Sequence, residues 1–199
     1  MGTLWIVASQ RRSSPNRERI LVAAADAFAR AGYDSVIVTD VVGSLGLTKG
    51  ALYHSFASKE VLAREILERY SATWSALADR VLAEYGNELE AVVAMTYQVA
   101  GALHRDPILR AGIRLSSDAS LFDGQPPPYL GRIERFTGML RAGQKHGTVR
   151  PEVDPGAVAW LLIVLFTGAQ ALPASIVDPA ELTRRLDAFW ALVRPQLAA

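Results

Sequence analysis

The sequence predicts an all-α protein built from a three-helix head and a six-helix body. Apolar residues recur at steps of three and four along most of the chain, which is the period of one helix face. Glycines and prolines divide these stretches into segments of helix length. No stretch shows the period-two alternation of a strand. We therefore expect an N-terminal arm over residues 1–15, the head over residues 16–57 and the body over residues 58–199.

Composition supports a packed, soluble chain and excludes several classes of function. Half of the 199 residues are hydrophobic and 21% are charged, which is enough apolar surface for a core. The net charge of +1 excludes a protein coated in positive charge, although a small DNA-binding module stays possible. The absence of cysteine excludes disulfides, thiol catalysis and cysteine metal sites, and fits the reducing cytoplasm. We expect a cytoplasmic protein with no cofactor and no bound metal.

The longest apolar run covers residues 157–172. A membrane helix needs roughly 20 apolar residues, and this run is shorter and contains polar side chains. A helix that is apolar on nearly every side must be covered on every side. The run therefore predicts a buried subunit interface, and we expect no membrane association.

The head begins with a helix predicted over residues 16–31. Ile20, Ala24 and Phe28 lie on one face of it, and Gly32 follows at a C-cap position that favours glycine. This apolar face predicts the side on which the rest of the head packs.

Two short helices follow, joined by a turn that contains glycine. Thr39 is the predicted N-cap of the first of them, and Gly46 ends it. Thr48 is the predicted N-cap of the second, which runs to about Phe56. Two short helices around such a turn form a helix-turn-helix pattern.

Six further helices are predicted in the body, each bounded by a capping residue, a glycine or a proline. Their ranges are 58–84, 87–105, 107–117, 129–146, 155–172 and 178–195. Pro173 closes the fifth of these, and the last fades near Pro195.

The string from Thr39 to Glu60, TDVVGSLGLTKGALYHSFASKE, closely resembles the DNA-binding signature of the tetracycline-repressor family. The resemblance covers about the first third of the chain. It implies a helix-turn-helix regulator that binds double-stranded DNA at a palindromic operator. The candidate DNA-binding residues are Thr39, Thr48, Lys49, Gly50, Ala51, Tyr53, His54 and Lys59.

The residue types at the start of the recognition helix suit a DNA contact. Thr48 and Lys49 stand at the end that meets base edges when such a helix enters the major groove. Gly50 and Ala51 are small and allow the backbone to approach the DNA closely.

Other side chains of the motif are suited to phosphates. Tyr53 and His54 reach the groove wall, and Thr39 and Lys59 add contacts near helix starts. Taken alone, Tyr53 would more often be a core aromatic and His54 a solvated histidine, but the complete string favours DNA contact. Arg17 and Arg19, at the start of the first helix, fit either phosphate contact or a solvated helix start.

In the family that the head resembles, the body dimerises through its last two long helices. The sequence fits this arrangement, because the run over residues 157–172 is apolar and the final helix carries an apolar stripe. The candidate interface residues are Trp160, Val164, Leu182, Leu186, Phe189 and Val193. A two-fold homodimer would place its recognition helices about 34–36 Å apart, which matches successive major grooves.

Two strings, KGALYHSFASKEVLA from Lys49 and DPILRAGIRL from Asp106, look like the γ-butyrolactone receptor branch with its furan and butenolide relatives. That resemblance implies a repressor of antibiotic biosynthesis that a small hydrophobic signal releases from DNA. Arg132 stands where many lactone receptors carry a pocket tryptophan. An acidic furan, a butenolide, an antibiotic or other xenobiotic, or an orphan pocket therefore stay open.

The predicted ligand pocket is mostly apolar with a few polar groups, as small-molecule sites usually are. Its candidate residues are Tyr70, Trp74, Ile113, Ser116, Phe166, Thr167 and Gln170. We expect the long helix over residues 58–84 to act as a lever between this pocket and the head.

An enzyme on a helical bundle and a pure interaction module are the competing classes. His54, His104 and His146 lie too far apart for a local metal motif, and no nucleophile elbow exists. An interaction module gives no reason for the string between Thr48 and Lys59. We expect a regulator and no enzymatic activity.

Overall fold

The computed structural model describes residues 15–122, 124, 126–171 and 179–199. Over these ranges the chain forms nine α-helices and one short 3-10 turn, Ala119–Leu121. The helices are α1 Pro15–Ala31, α2 Val38–Ser44, α3 Lys49–Ser55, α4 Lys59–Glu84, α5 Glu88–Arg105, α6 Pro107–Leu115, α7 Pro128–His146, α8 Pro155–Ala171 and α9 Pro179–Leu197. The predicted all-α fold is confirmed.

Most helix starts are capped by the local chemistry that the sequence indicates. Thr48 accepts a hydrogen bond from Ala51 N, and Ser58 accepts one from Val61 N. Asp106 caps α6, whose first residue is a proline that needs no partner for its nitrogen. Each of these caps joins residues two or three positions apart, so the local sequence is enough to locate the start of the helix.

The predicted N-cap Thr39 is wrong. The helix α2 begins at Val38, so that Ile37 occupies the cap position and contributes no side-chain hydrogen bond. Val36 and Val38 are both buried in the core. Their burial places the start of the helix one residue before Thr39. Thr39 lies in the first turn, where its side chain is half-buried.

The C-terminal helix continues beyond its predicted end. A proline inside a helix removes one hydrogen bond, yet α9 passes through Pro195 to Leu197. The backbone N–H of Arg150 donates to Leu197 O at 2.9 Å, and its side chain donates to Ala198 O at 2.8 Å. Because these bonds and the burial of Leu197 hold the last turn, the helix does not end at the proline.

A single hydrophobic core runs through both head and body. Among the described helix pairs, α1 and α6 have the most extensive contact, whereas α1 contacts α4 less. Arg69 on α4 reaches Glu18 on α1 at 2.7 Å and Glu65 at 3.2 Å, and Arg110 on α6 reaches Asp26 on α1 at 3.2 Å. The head is therefore attached to the body through two helices of the body.

The crossing of α4 and α6 depends on a glycine. A Cβ placed on Gly112 would lie 2.1 Å from Cγ of Tyr70, closer than real Cβ atoms approach. Tyr70 is itself only 2% exposed and has little room to move. The close approach of the two helices therefore requires the missing side chain at this position.

The apolar helix α8 spans 17 residues. Among the described residues, no helix combines the length and the hydropathy that a membrane span needs.

Candidate nucleic-acid interface and ligand pocket

The helix α3 presents the exposed face that a recognition helix needs. Lys49, Gly50, Tyr53 and His54 are exposed, and their spacing places them on one side of the helix. The opposite side is buried through Leu52, which contacts the core of the head. Local sequence thus separates the surface of this helix from its core side, as predicted.

The start of α3 leaves room for an outside partner. A Cβ on Gly50 would meet only the Thr48 hydroxyl, at an ordinary contact distance of 3.7 Å. The fold itself therefore does not require glycine here, whereas the close approach of another molecule would. Lys49 Nζ lies 5.8 Å from the centre of the Tyr53 ring, which holds its charge over the exposed face.

Lys59 lies at the start of α4 and is half-buried. Its Nζ donates to Asp34 O at 3.3 Å and lies 4.5 Å from the centre of the Tyr33 ring. An ammonium has three donors, so one bond to a carbonyl leaves others for a phosphate. The side chain also ties α4 to the turn after α1.

The two arginines near the start of α1 make contacts inside the protein. Arg17 forms a short ion pair with Glu65 on α4 and stacks over the Phe56 ring at 4.5 Å. Arg19 donates to Leu45 O at 3.2 Å. These contacts hold α1 against the rest of the head, a role that the sequence did not suggest.

A small internal cavity lies where the pocket was predicted. Its volume is about 20 Å³, which is room for about one water molecule. Five predicted residues line it, namely Tyr70, Trp74, Ile113, Phe166 and Thr167. Arg132, which the resemblance placed at the position of a pocket tryptophan, also lines the cavity. The remaining lining residues, which the sequence did not indicate, are Val99, Phe136 and Ile163.

Two predicted pocket residues are not among those that line the cavity. Ser116 is buried, and its hydroxyl donates to Gly112 O in its own helix at 2.5 Å, so its hydrogen-bonding capacity is used locally. Ser116 is therefore not part of the cavity wall, and its role toward a ligand stays a prediction. The side chain of Gln170 lies outside the described residues.

Arg132, on α7, is the charged member of the cavity wall. It is 7% exposed, and its guanidinium carbon lies 4.6 Å from the centre of the Tyr70 ring. Burial lowers the pKa of Arg132 from its usual value, although a guanidinium stays protonated in proteins. Burial also raises the pKa of the Tyr70 hydroxyl to about 12.

An open cleft lies on the other side of Arg132, between α4 and α7. Its volume is about 300 Å³, at the lower end of the range for ligand sites. Trp74 and Arg132 line both the cleft and the internal cavity. Ser71 and Ser75 add hydroxyl groups, while Asp79 and Arg135 form an ion pair across it.

The exposed apolar face of the body differs in part from the predicted interface. Trp160 is 54% and Val164 is 43% exposed, as an unpaired interface requires. Leu182 and Leu186 are buried inside the chain at 8% and 1%, so their placement at an interface is wrong. They lie on α9, which packs against α5.

The orientation of α9 explains this difference. Trp190 is buried and donates from Nε1 to the Thr96 hydroxyl on α5 at 2.9 Å, which turns that side of α9 inward. Phe189 and Val193 are half-buried. Leu161 on α8 and Leu192 on α9, which the sequence reasoning did not select, are 54% and 75% exposed.

Family models match both parts of this architecture. The model of bacterial regulatory proteins, tetR family, matches residues 20–66, and that of the tetracyclin repressor-like C-terminal domain matches residues 86–198. The chain belongs to the tetR family. As a member of it, the protein is a DNA-binding repressor and not an enzyme.

Relatives of this tetR-family protein align with it over nearly its whole length. The A-factor receptor protein of Streptomyces griseus is 32% identical over 192 residues, which are 96% of this chain and 67% of the relative. A solved γ-butyrolactone receptor, an ArpA-like protein, is 32% identical with a TM-score of 0.82, covering 94% of this chain and 90% of its own. The predicted resemblance to the γ-butyrolactone receptor branch is confirmed.

A solved complex shows this fold bound to DNA. It contains CprB from Streptomyces coelicolor with its biological operator sequence, and CprB is 31% identical to this chain. The TM-score is 0.79, with 94% of this chain and 90% of the other covered. This tetR-family chain therefore has the fold of a regulator that engages an operator.

Proposed function

We propose that this repressor binds a palindromic operator as a homodimer and is released by a small hydrophobic signal of the γ-butyrolactone, furan or butenolide type. We further propose that it thereby controls antibiotic biosynthesis. The observation that carries the proposal is a cavity where α4 crosses α6. Both helices contact α1 of the head, and the head presents the exposed face of α3. Whole-length similarity to the A-factor receptor supports it.

The DNA contacts are proposed from the exposed face of α3. Thr48 and Lys49 are placed to meet base edges, and the small Gly50 and Ala51 permit close approach. The flanking residues Thr39, Tyr53, His54 and Lys59 are proposed to contact phosphates.

The homodimer is proposed from the apolar face on α8 and α9. Trp160, Leu161, Val164 and Leu192 are large, apolar and at least 43% exposed. Groups of large, exposed apolar side chains mark interaction sites in soluble proteins. A two-fold axis through this face would pair two copies and fix the distance between their recognition helices.

The response to a signal is proposed to travel through α4 and α6 together. Tyr70 on α4 lines the cavity and packs directly on Gly112 of α6. Both α4 and α6 contact α1 of the head, and the contact of α6 is the larger. A ligand that separates α4 from α6 therefore shifts the head through both helices. Only a ligand that binds the free and DNA-bound arrangements unequally can have this effect.

The small volume of the cavity supports a second candidate. At about 20 Å³ it has no room for a hormone unless side chains move. An orphan regulator without a hormone ligand is consistent with that volume, whereas an antibiotic or other xenobiotic needs the same rearrangement as a hormone. A panel of alkyl γ-butyrolactones, alkyl butenolides and alkyl furans, titrated against free and operator-bound protein, separates the candidates. Equal affinity for both forms across the panel would contradict the hormone proposal.

Replacing Lys49 with alanine is expected to relax sequence preference. Loss of one good base contact costs about 1–3 kcal/mol of discrimination between the operator and scrambled DNA. The measurement is fluorescence anisotropy on a site recovered from genomic DNA, across a series of salt concentrations.

Lys59→Ala is expected to weaken binding to both DNAs about equally and to reduce the salt slope by about 1. Lys145→Ala removes the same charge from the end of α7, which packs against α5 and α8, and is expected to change neither value. If Lys49→Ala and Lys59→Ala each retain full DNA binding and full sequence preference, α3 is not the recognition helix.

A further inference from the structure

Arg132 is a buried charge that has no carboxylate partner among the described residues. It is 7% exposed, and over the described part of the chain no carboxylate pairs with it. Asp79, the acidic residue in the neighbouring cleft, is occupied by Arg135. The guanidinium lies over the face of the neutral Tyr70 ring, which provides no opposite charge.

Two other buried polar groups, on α5 and at the end of α6, are satisfied by the protein. The Thr96 hydroxyl donates to Val93 O at 2.6 Å, and the Ser116 hydroxyl donates to Gly112 O at 2.5 Å. A buried charge without a partner is costly, and proteins usually pair such groups or bind something to them. Arg132 therefore differs from Thr96 and Ser116, because it carries a charge and no hydrogen bond within the protein is described for it.

The guanidinium can be reached from outside. Arg132 lines both the internal cavity and the open cleft of about 300 Å³ between α4 and α7. Among the described residues, no fully enclosed side-chain nitrogen lacks a hydrogen bond, so the unpaired guanidinium nitrogens keep some accessible surface. A ligand that passes the more exposed Arg135–Asp79 pair would meet these nitrogens in the wall of the cleft.

We propose that Arg132 binds the carboxylate of the signal, and that this repressor responds to an apolar small molecule bearing one negative charge. The proposal rests on the ligand response proposed above and names the chemical class of the ligand. A guanidinium matches a carboxylate through two parallel hydrogen bonds. A phosphate monoester carries about two negative charges at neutral pH, and the single unpaired cation would leave one of them uncompensated.

The walls of the site suit the rest of such a molecule. Trp74 and Phe136 meet edge to face at 5.5 Å and form an apolar side beside the guanidinium. Ser71 and Ser75 offer hydroxyl groups at the cleft. A carboxylate that draws Arg132 away from the Tyr70 ring would open the internal cavity to an alkyl chain and release the α4–α6 contact.

Three matched pairs of probes test the proposal: octanoate, 4-butylbenzoate and 5-pentyl-2-furoate, each compared with its primary amide. The measurements are the unfolding temperature of the full chain and its release from operator DNA, followed by anisotropy. We expect at least one acid to release DNA at a concentration about 10-fold or more below that of its amide, in line with one charge-assisted contact.

Three variants assign that preference to Arg132. Arg132→Met is expected to abolish the difference between acid and amide, and Arg132→Lys to keep part of it. Arg141→Gln is the control, because it removes an exposed arginine from the same helix but outside the cleft, and it should leave the preference intact. Without any probe, Arg132→Met should raise the unfolding temperature by about 2–8 °C, since an uncompensated buried charge is removed.

Acids that bind no better than their amides, or no binding by any acid, would overturn the proposal, as would an acid preference that survives in Arg132→Met. Release of the operator by neutral lactones without an acid preference would leave the proposed hormone response standing while removing the role of Arg132. If neither acids nor neutral lactones release the operator, both the proposed hormone response and the role of Arg132 are excluded.

Discussion

Trp160→Asp is expected to convert the protein into monomers and to weaken operator binding by about 100-fold or more. The indole is 54% exposed in one chain, and a carboxylate in its place would be buried without a partner at the two-fold interface. A monomer engages one half-site only, and linked binding of two modules contributes about 10²–10⁴ in affinity. Sedimentation velocity and anisotropy measure the two effects.

Three further variants define the interface. Leu192→Asp, on α9, is expected to dissociate the dimer as well, because Leu192 is 75% exposed. Val22→Asp, on the exposed side of α1, is the matched control and should leave the dimer intact. Leu186→Ala removes a side chain that is 1% exposed and should lower stability without dissociation. Dimers that persist in Trp160→Asp and Leu192→Asp would exclude this face as the interface.

Gly112→Ala is expected to lower the free energy of unfolding by about 3 kcal/mol or more. Overpacking of a close-packed core typically costs about 1–3 kcal/mol, and the new Cβ would lie 2.1 Å from the Tyr70 ring. Tyr70 cannot move away cheaply because it is 2% exposed. Urea unfolding of both proteins gives the difference.

A control and a double variant make the result specific to this contact. Gly138→Ala, at a helical site with open space around the new Cβ, should raise stability by about 0.5–1 kcal/mol. In Tyr70→Ala the ring is gone, so adding Gly112→Ala should cost much less than it does in the original chain. Equal costs in both backgrounds would show that the two residues do not oppose each other.

Local chemistry explains why so much of the fold is predictable. Thr48, Ser58 and Asp106 cap their helices through atoms two or three residues away, so sequence alone locates those boundaries. The exposed and buried sides of α3 follow from a helical spacing that is equally local. Five of the seven candidate pocket residues also line the observed cavity, because helical spacing groups them on inward faces.

The predictions that failed depend on contacts between distant elements. Both sides of α9 carry apolar residues, and the side that turns inward is selected by Trp190 meeting Thr96, 94 positions away. The start of α2 at Val38 follows from burial in the core rather than from the hydroxyl of Thr39. The position of Arg132 was noted from the sequence, but only the three-dimensional structure shows that no carboxylate in its described part pairs with Arg132.

The extensive packing of α1 on α6 has a consequence for how such regulators diversify. The boundary after residue 57 looks like a suitable point at which to exchange the head. However, the surface of α6 around Arg110 is complementary to α1 around Asp26. Chimeras that graft a foreign head onto this body should therefore fold and respond only if α6 is transplanted with α1. New pairings of operator and signal would then arise more readily by substitution on α3 and around the cavity than by exchange of whole modules.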